Sequence, residues 1–491
     1  MSKLGAISSE PTLESTSPPP QPTLAENQLA KPRGLSLMRR LEWVLDPVSY
    51  LERTKTSTPD FFEEDSLGFG EGATVIASHP EAMQYILTRD RTTFSAPGEF
   101  NKLLSPFLGT QSAIMLSGEQ HKVRRQLMTP AFHGERLSVY GQLICDLTKD
   151  LIESLPKDKP LPIRELTQKI SLHVISKIVF GFTDGPRSKE IMATLTAAAD
   201  SVSSPASAAL LFFIWMQKDL GPWSPWGKFV RKRQMLDDLI YAEIRDRAAA
   251  MNKTESTENG IGNSDRTDIL SMLMASRTED GEALSESELR DELMALLFAG
   301  HETTATAMAW AMYWIHKLPD VKAKLLAELD ALGPDADPMA IAQLPYLTAV
   351  CKETLRRSPV AMFTFPRRAE EPVDLMGHHF PAGTVFLGSI FLAHQREDLY
   401  PDHKAFRPER FLERKFSPYE FIPFGAGSRR CVGEALAQYE MKLAIAMMVA
   451  SYRFELADDK PETASRRGVT LAPTRGVPMV FKGTRQTEKA G

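Results

Sequence analysis

Cysteine is scarce in this chain, with Cys145, Cys351 and Cys431 the only three among 491 residues. They lie far apart, form no CxxC pair and are odd in number, which argues against a disulfide framework and favours a reducing compartment. Long apolar runs are missing too. No stretch approaches the ~18 consecutive apolar residues of a membrane span, so no transmembrane anchor is expected. An excess of basic charge is absent: the net charge is −5, and nothing recommends nucleic acid as a partner. The opening residues have little apolar content and are rich in Pro, Ser, Thr, Glu and Gln, with Pro18-Pro19-Pro20 at their centre. A disordered tail is expected over residues 1–34, without the apolar core of a signal peptide, followed by one domain over 35–491.

What is present is an ordinary globular balance, 43% hydrophobic and 25% charged. Thr74 to Ala77 reads as a strand, and a short helix follows Ser78-His79-Pro80. Helical patterns dominate from about Gly118 to Ala331, broken at Pro205, Gly221-Pro222, Pro225 and a polar stretch from Asn252 to Asp265 read as an exposed loop. Strand-like residues return from Asp374 to Gly388 around the turn Pro381-Ala382-Gly383.

The most informative stretch is Phe424-Gly-Ala-Gly-Ser-Arg-Arg-Cys431-Val-Gly433. Gly425 and Gly427 allow a tight turn with positive φ. Glu434 to Val449 then reads as an amphipathic helix, with Leu436, Tyr439, Leu443 and Met447 at helical spacing. Cys431 therefore sits at a helix N-terminus, where free N–H groups and the dipole favour a thiolate. A glycine-rich loop also admits a flat macrocycle close to the backbone, so that a single sulfur can bind a haem iron from one side.

A second stretch lies inside a long helix. Ser285 and Glu288 form a capping box, Leu289, Leu293, Leu296, Leu297, Met308, Met312 and Ile315 carry the periodicity, and Pro319 ends it. Such a helix is roughly 48 Å long. Its middle reads Ala299-Gly300-His301-Glu302-Thr303-Thr304. Glycine there costs about 1 kcal/mol relative to alanine, and an acid beside two threonines is poor core material. A zinc-protease reading of His301-Glu302 needs a second histidine at 305, which is alanine. Two further pairs share helix faces: Glu353 with Arg356, three apart, and His121 with Arg125, four apart.

Taken together, Phe424…Gly427…Arg429…Cys431…Gly433, Ala299-Gly300-x-Glu302-Thr303-Thr304 and Glu353-x-x-Arg356 resemble the cytochrome P-450 haem-thiolate monooxygenases of soluble bacterial type. The resemblance covers about Leu35 to the C-terminus. It implies a mainly α fold with a minor β-sheet region, in which a long central helix lies over haem b (iron protoporphyrin IX) held by the Cys431 loop. Cys431 is then the metal ligand, with Phe424, Gly425 and Gly433 in the loop against the haem. Ala299 and Gly300 border the dioxygen site, where Gly300 opens room by loosening the helix. Glu302 and Thr303 are the catalytic pair, one relaying protons from solvent and the other bonding the distal oxygen. His121, Arg125, Arg429 and Arg367 meet the propionates, although Arg368 competes with Arg367 for that register. Arg410 joins Glu353 and Arg356 in a buried charge network behind the haem.

The implied activity is monooxygenation, a hydroxylation or epoxidation of a lipophilic substrate by dioxygen. Electrons come from NAD(P)H through a separate ferredoxin or flavodoxin and its reductase. A cytoplasmic monomer is expected, with peripheral membrane contact open to the apolar and basic region Ala206 to Arg233. Phe94, Phe100, Leu103, Leu104, Phe107 and Met362-Phe363 line the pocket by family position. Two alternatives stay open: a haem-thiolate peroxygenase or hydroperoxide isomerase, and a non-catalytic haem sensor or carrier.

Overall fold

A computed structural model of the chain describes residues 29, 36–55, 60–64, 74–181, 185–200, 217–255, 268–278, 281–333 and 336–485. The helices around the site, in chain order, are α1 (Gly118–Met128), α2 (Glu135–Glu153), α3 (Ile163–Phe180), α4 (Pro186–Asp200), α5 (Pro225–Glu255), α6 (Glu286–Lys317), α7 (Pro345–Arg357) and α8 (Glu434–Ala450). α6 starts where the sequence places it. The Glu288 N–H donates to the Ser285 hydroxyl at 3.3 Å, and the Ser285 N–H donates back to Glu288 Oε2 at 2.9 Å. The helix then runs 32 residues, and Leu318 caps it just before Pro319.

α6 packs against α3, α7 and α8, and α8 packs against α2. Their shared core holds Ile144, Ile170, Val174, Leu293, Met308, Met312 and Leu443, all buried. Each such side chain contributes roughly 1.5–3 kcal/mol through removal from water, so these contacts, rather than helix propensity, hold α6 straight through the interior.

The main sheet has five short strands: β1 (Phe61–Glu63), β2 (Thr74–Ala77), β3 (Phe94–Ser95), β4 (Arg367–Ala369) and β5 (Val385–Gly388), in the spatial order β1-β2-β5-β4-β3. β2 and β5 are parallel, with Thr74 opposite Val385, and the other pairings are antiparallel. A hairpin of β6 (Ala464–Arg467) and β7 (Thr470–Pro473) turns at Gly468, whose φ is 59°. It packs along α6 through β7.

Several sequence expectations change here. The break at Gly221-Pro222 and Pro225 is a non-helical stretch over 217–224 that Pro225 closes by starting α5, where the missing N–H costs nothing. α5 continues to Glu255, into the stretch expected as a loop, and residues 256–265 lie outside the described residues. Phe94 belongs to the sheet core, edge-on to Phe386 at 5.6 Å, rather than to a pocket wall. The disordered-tail expectation and residues 206–216 of the apolar and basic region also fall outside the described residues. The exception in the tail is Leu29, which packs partly buried on the sheet core.

Candidate active site

The cysteine loop is shaped by its glycines. Gly425 and Gly427 have φ of 67° and 69°, the left-handed region the sequence demanded of them. A Cβ on Gly427 would stand 2.4 Å from Asp90 Oδ2 and from the Leu87 carbonyl, so glycine is required for space as well. Asp90 Oδ2 accepts the Ser428 N–H at 2.6 Å and Arg367 Nη2 at 3.1 Å, tying the loop to β4. The Cys431 N–H donates to the Phe424 carbonyl at 3.0 Å, and Gly433 is the N-cap of α8.

Cys431 lies deep among protein atoms yet keeps accessible surface, the signature of a group on the wall of an internal cleft. With Arg125, Arg430 and Lys442 it lines a cleft of about 570 Å³. Burial pushes its thiol above the ordinary value, against the Gly433 N–H and the guanidinium groups of Arg125 and Arg430. A metal ion bound at the sulfur favours the thiolate against that burial.

Around this loop cations collect. Burial, then Arg429, Arg125, Arg91 and Arg367, drive the His121 imidazole down to about 4, which makes it neutral. Arg429 falls to about 10 through burial and the nearby Arg367 and Arg125, with Asp90 opposing. Arg429 spends its donors on the carbonyls of Ala113, Ala96 and Leu116, pinning that segment to the loop. Arg367, fully buried, bonds Asp90 and the Phe365 and Ala426 carbonyls, while its Nε has no partner. Arg368 instead reaches Glu99 and Glu370 on the exposed side. Arg125 makes no side-chain hydrogen bond or ion pair among the described residues. A thiol beside the uncommitted Arg125 guanidinium and the unpartnered Nε of Arg367 fits a metallated macrocycle carrying carboxylates, so the donor set suits haem b.

α6 supplies the opposite element. From Leu289 to Tyr313 it is buried except at Phe298, Ala299, Gly300, Glu302 and Thr303, an accessible window at the motif alone. Phe107 stacks near Phe298 at 5.1 Å and near Phe229 at 4.5 Å, and Trp226 joins them, so this end of the window is aromatic. The Thr303 hydroxyl donates to the Ala299 carbonyl at 2.7 Å.

Gly300 was expected to loosen the helix, and the packing supplies another reason for it. Its Cβ would lie 2.9 Å from Ile175 Cγ1 of α3, and its carbonyl accepts the Ser171 hydroxyl at 3.2 Å. Glycine here permits the close crossing of α3 and α6.

Glu302 is held by residues that sequence reasoning missed. Arg164 Nη1 donates to its Oε1 at 2.9 Å, Arg467 Nε to the same oxygen at 2.7 Å, and Gln168 Nε2 to Oε2 at 3.2 Å. Another buried acid, Glu440 on α8, also had no assigned role; burial raises its carboxyl to about 8. Only the helical spacing of Arg164 and Gln168 on one face of α3 could have hinted at this clamp.

Behind the loop, Glu353, Arg356 and Arg410 meet in full burial. Arg356 grips Glu353 bidentately at 2.7 Å per bond, and Arg410 Nε adds a third at 3.1 Å. Arg356 also donates to the carbonyls of His394, His403 and Ala405.

These features agree with comparisons to known proteins. The family model described as Cytochrome P450 matches residues 60–479. A protein named cytochrome P450 135B1 from Mycobacterium tuberculosis is 32% identical over 416 residues, 85% of this chain and 84% of its own. Cytochrome P450 137 of the same species is 32% identical over 77% of this chain and 74% of its own. Among solved structures, retinoic acid-bound cyanobacterial CYP120A1 superposes with a TM-score of 0.77 at 21% identity, covering 94% of this chain and all of that one. The mainly α fold with small sheets is thus the P450 fold, and the cofactor is haem b. With a family match from the first sheet strand to the last, this chain belongs to the cytochrome P450 family of haem-thiolate monooxygenases.

Proposed function

We propose that the chain oxygenates a lipophilic small molecule, by hydroxylation or epoxidation, with electrons delivered from NAD(P)H by a separate ferredoxin or flavodoxin. The observation that carries this reading is the accessible window of α6, which pairs the polar Glu302-Thr303 with the aromatic cluster of Phe107, Phe229, Phe298 and Trp226. Apolar contact orients the substrate there and excludes water, while only the helix offers groups that handle protons.

Cys431 would hold the iron, Arg125 with Arg367 and Arg429 would supply the positive field for the propionates, neutral His121 would offer them a ring N–H, and Phe424, Gly425 and Gly433 would shape the loop around them. Bound haem supplies activation of dioxygen, and the cysteine sulfur donates electron density that favours O–O cleavage. Glu302 takes up a proton at its carboxylate and passes it to Thr303 Oγ1, which presents it toward the dioxygen pocket once it leaves the Ala299 carbonyl. The cleft of Cys431 is lined by Arg125 and Lys442, with Arg430 paired to Glu434, which leaves a basic seat that suits an acidic electron carrier.

Screening fatty acids, terpenoids and steroids for the spin-state shift of the ferric protein tests the substrate class. Shifts with these and none with polar compounds of equal size are expected; the reverse pattern overturns it. Arg125→Ala should weaken haem retention several-fold while helical content stays at the wild-type level. Unchanged retention removes Arg125 from the propionate set.

A further inference from the structure

Glu302 does not stand alone in its clamp. Arg467 Nε donates to Glu302, and its Nη2 donates to Asp200 Oδ1, also at 2.7 Å. Asp200 is the last residue of α4, and Arg467 ends β6. One guanidinium therefore spans two carboxylates on different helices, α4 and α6. Exposure is graded along the chain of groups: Glu302 is 13% exposed, Arg467 18% and Asp200 51%. Arg164, at 11%, has Glu302 as its side-chain partner. His301, the remaining titratable neighbour, is buried and turned to the Leu297 carbonyl at 2.7 Å.

Arg467 donates to both Glu302 and Asp200, so the two carboxylates compete for it. In this arrangement both Glu302 oxygens accept from α3 and the hairpin, and neither accepts from Thr303. The geometry points to Arg467 as a positioning residue, whose division between Asp200 and Glu302 sets how firmly the catalytic acid is withheld from Thr303. The position of α4 is thereby transmitted to proton delivery. This inference rests on Glu302 acting as the proton relay proposed above.

Two substitutions at either end of the bridge should act in opposite directions. Asp200→Asn leaves Arg467 wholly on Glu302 and slows release of the acid; Arg467→Gln leaves only Arg164 and Gln168, and eases it. The assay is consumption of dioxygen by haem-loaded, full-length enzyme, reduced by NADPH through a surrogate ferredoxin and its reductase in excess, in H2O and D2O. Two electrons and two protons convert each dioxygen to hydrogen peroxide, so no substrate is required. Asp200→Asn should raise the solvent isotope effect above wild type, Arg467→Gln should lower it, and the double variant should follow Arg467→Gln. Shifts in one direction for both singles, or an Asp200→Asn effect that persists without Arg467, overturn the inference. If Glu302→Gln leaves the isotope effect untouched, the relay reading itself fails.

Hydrogen exchange gives a readout independent of turnover. Glu302→Gln should leave Arg467 to Asp200 and slow amide exchange at the C-terminal end of α4, and Arg467→Gln should abolish that response. Equal exchange in wild type and Glu302→Gln shows that no coupling exists.

Discussion

Glu353 and Glu302 are each held by two arginines, and they behave as different devices. Glu353 is fully buried, gripped bidentately by Arg356 and again by Arg410 and the Arg407 N–H. Arg356 is further fixed by three backbone carbonyls, so no member has another place to go. Glu302 has the same charges around it but sits in the accessible window of α6, and one of its arginines is shared with solvent-facing Asp200. Burial with backbone donors makes a lock. Partial exposure with a competing carboxylate leaves a group free to change partner.

The harshest way to break this contrast is Glu353→Ala, which leaves two buried guanidinium groups without a counter-charge. A loss of about 3–5 kcal/mol is expected, read as a lowered urea midpoint together with lost holoprotein. Stability within 1 kcal/mol of wild type, on the same scale, would show that the lock is decorative.

The lock also carries a pH signature. His394, whose carbonyl takes Arg356, accepts the Ile422 N–H at Nε2 with a length of 3.0 Å and must stay neutral to do so. Burial first, then Arg356, press its imidazole down to about 3. The unfolded chain thus binds a proton that the folded chain refuses between the ordinary value of about 6.5 and that limit. Stability is full above that window and falls as pH drops through it, by an amount on the order of 2–4 kcal/mol. His394→Gln should flatten the urea midpoint between pH 7 and pH 4.5, and an equally steep slope in the variant assigns the effect elsewhere.

On the exchangeable side, Thr303→Val keeps the shape of the window and removes the hydroxyl. Oxidation of reductant should continue while hydrogen peroxide replaces much of the oxygenated product, about a tenfold fall in coupling or 1.4 kcal/mol. Full coupling would pass the role to Thr304 or a water chain. The smallest effect sharpens the comparison instead: Arg164→Gln should change stability by about 1 kcal/mol or less, because its partner keeps Arg467, Gln168 and some water. A loss near that of Glu353→Ala would make the two sites the same device after all.

Legibility in the sequence followed range. The turn at Gly425 and Gly427, the capping box of Ser285 and Glu288, and the pair Glu353 and Arg356 depend on neighbours within a few residues, so spacing reveals them. Arg410 came only with the family resemblance. The clamp on Glu302 joins positions 138 and 165 residues away, and no periodicity encodes that. The strands after Tyr452 went unread because they are short and mixed in polarity, as in Ala464-Ser-Arg-Arg467, where the fold and not the alternation decides the pairing. Gly300 was singled out correctly as unusual, but its neighbour Ile175 lies on another helix.

That last contact constrains how this protein can vary. With 2.9 Å between a notional Cβ at 300 and Ile175 Cγ1, the two positions share one volume. Alanine at 300 calls for a trimmed residue at 175, so Gly300→Ala with Ile175→Val should recover packing that Gly300→Ala alone forfeits. Mutational libraries that sample the Ala299 to Thr304 stretch of α6 one position at a time will discard such variants, and pairing 300 with 175 reopens that part of sequence space.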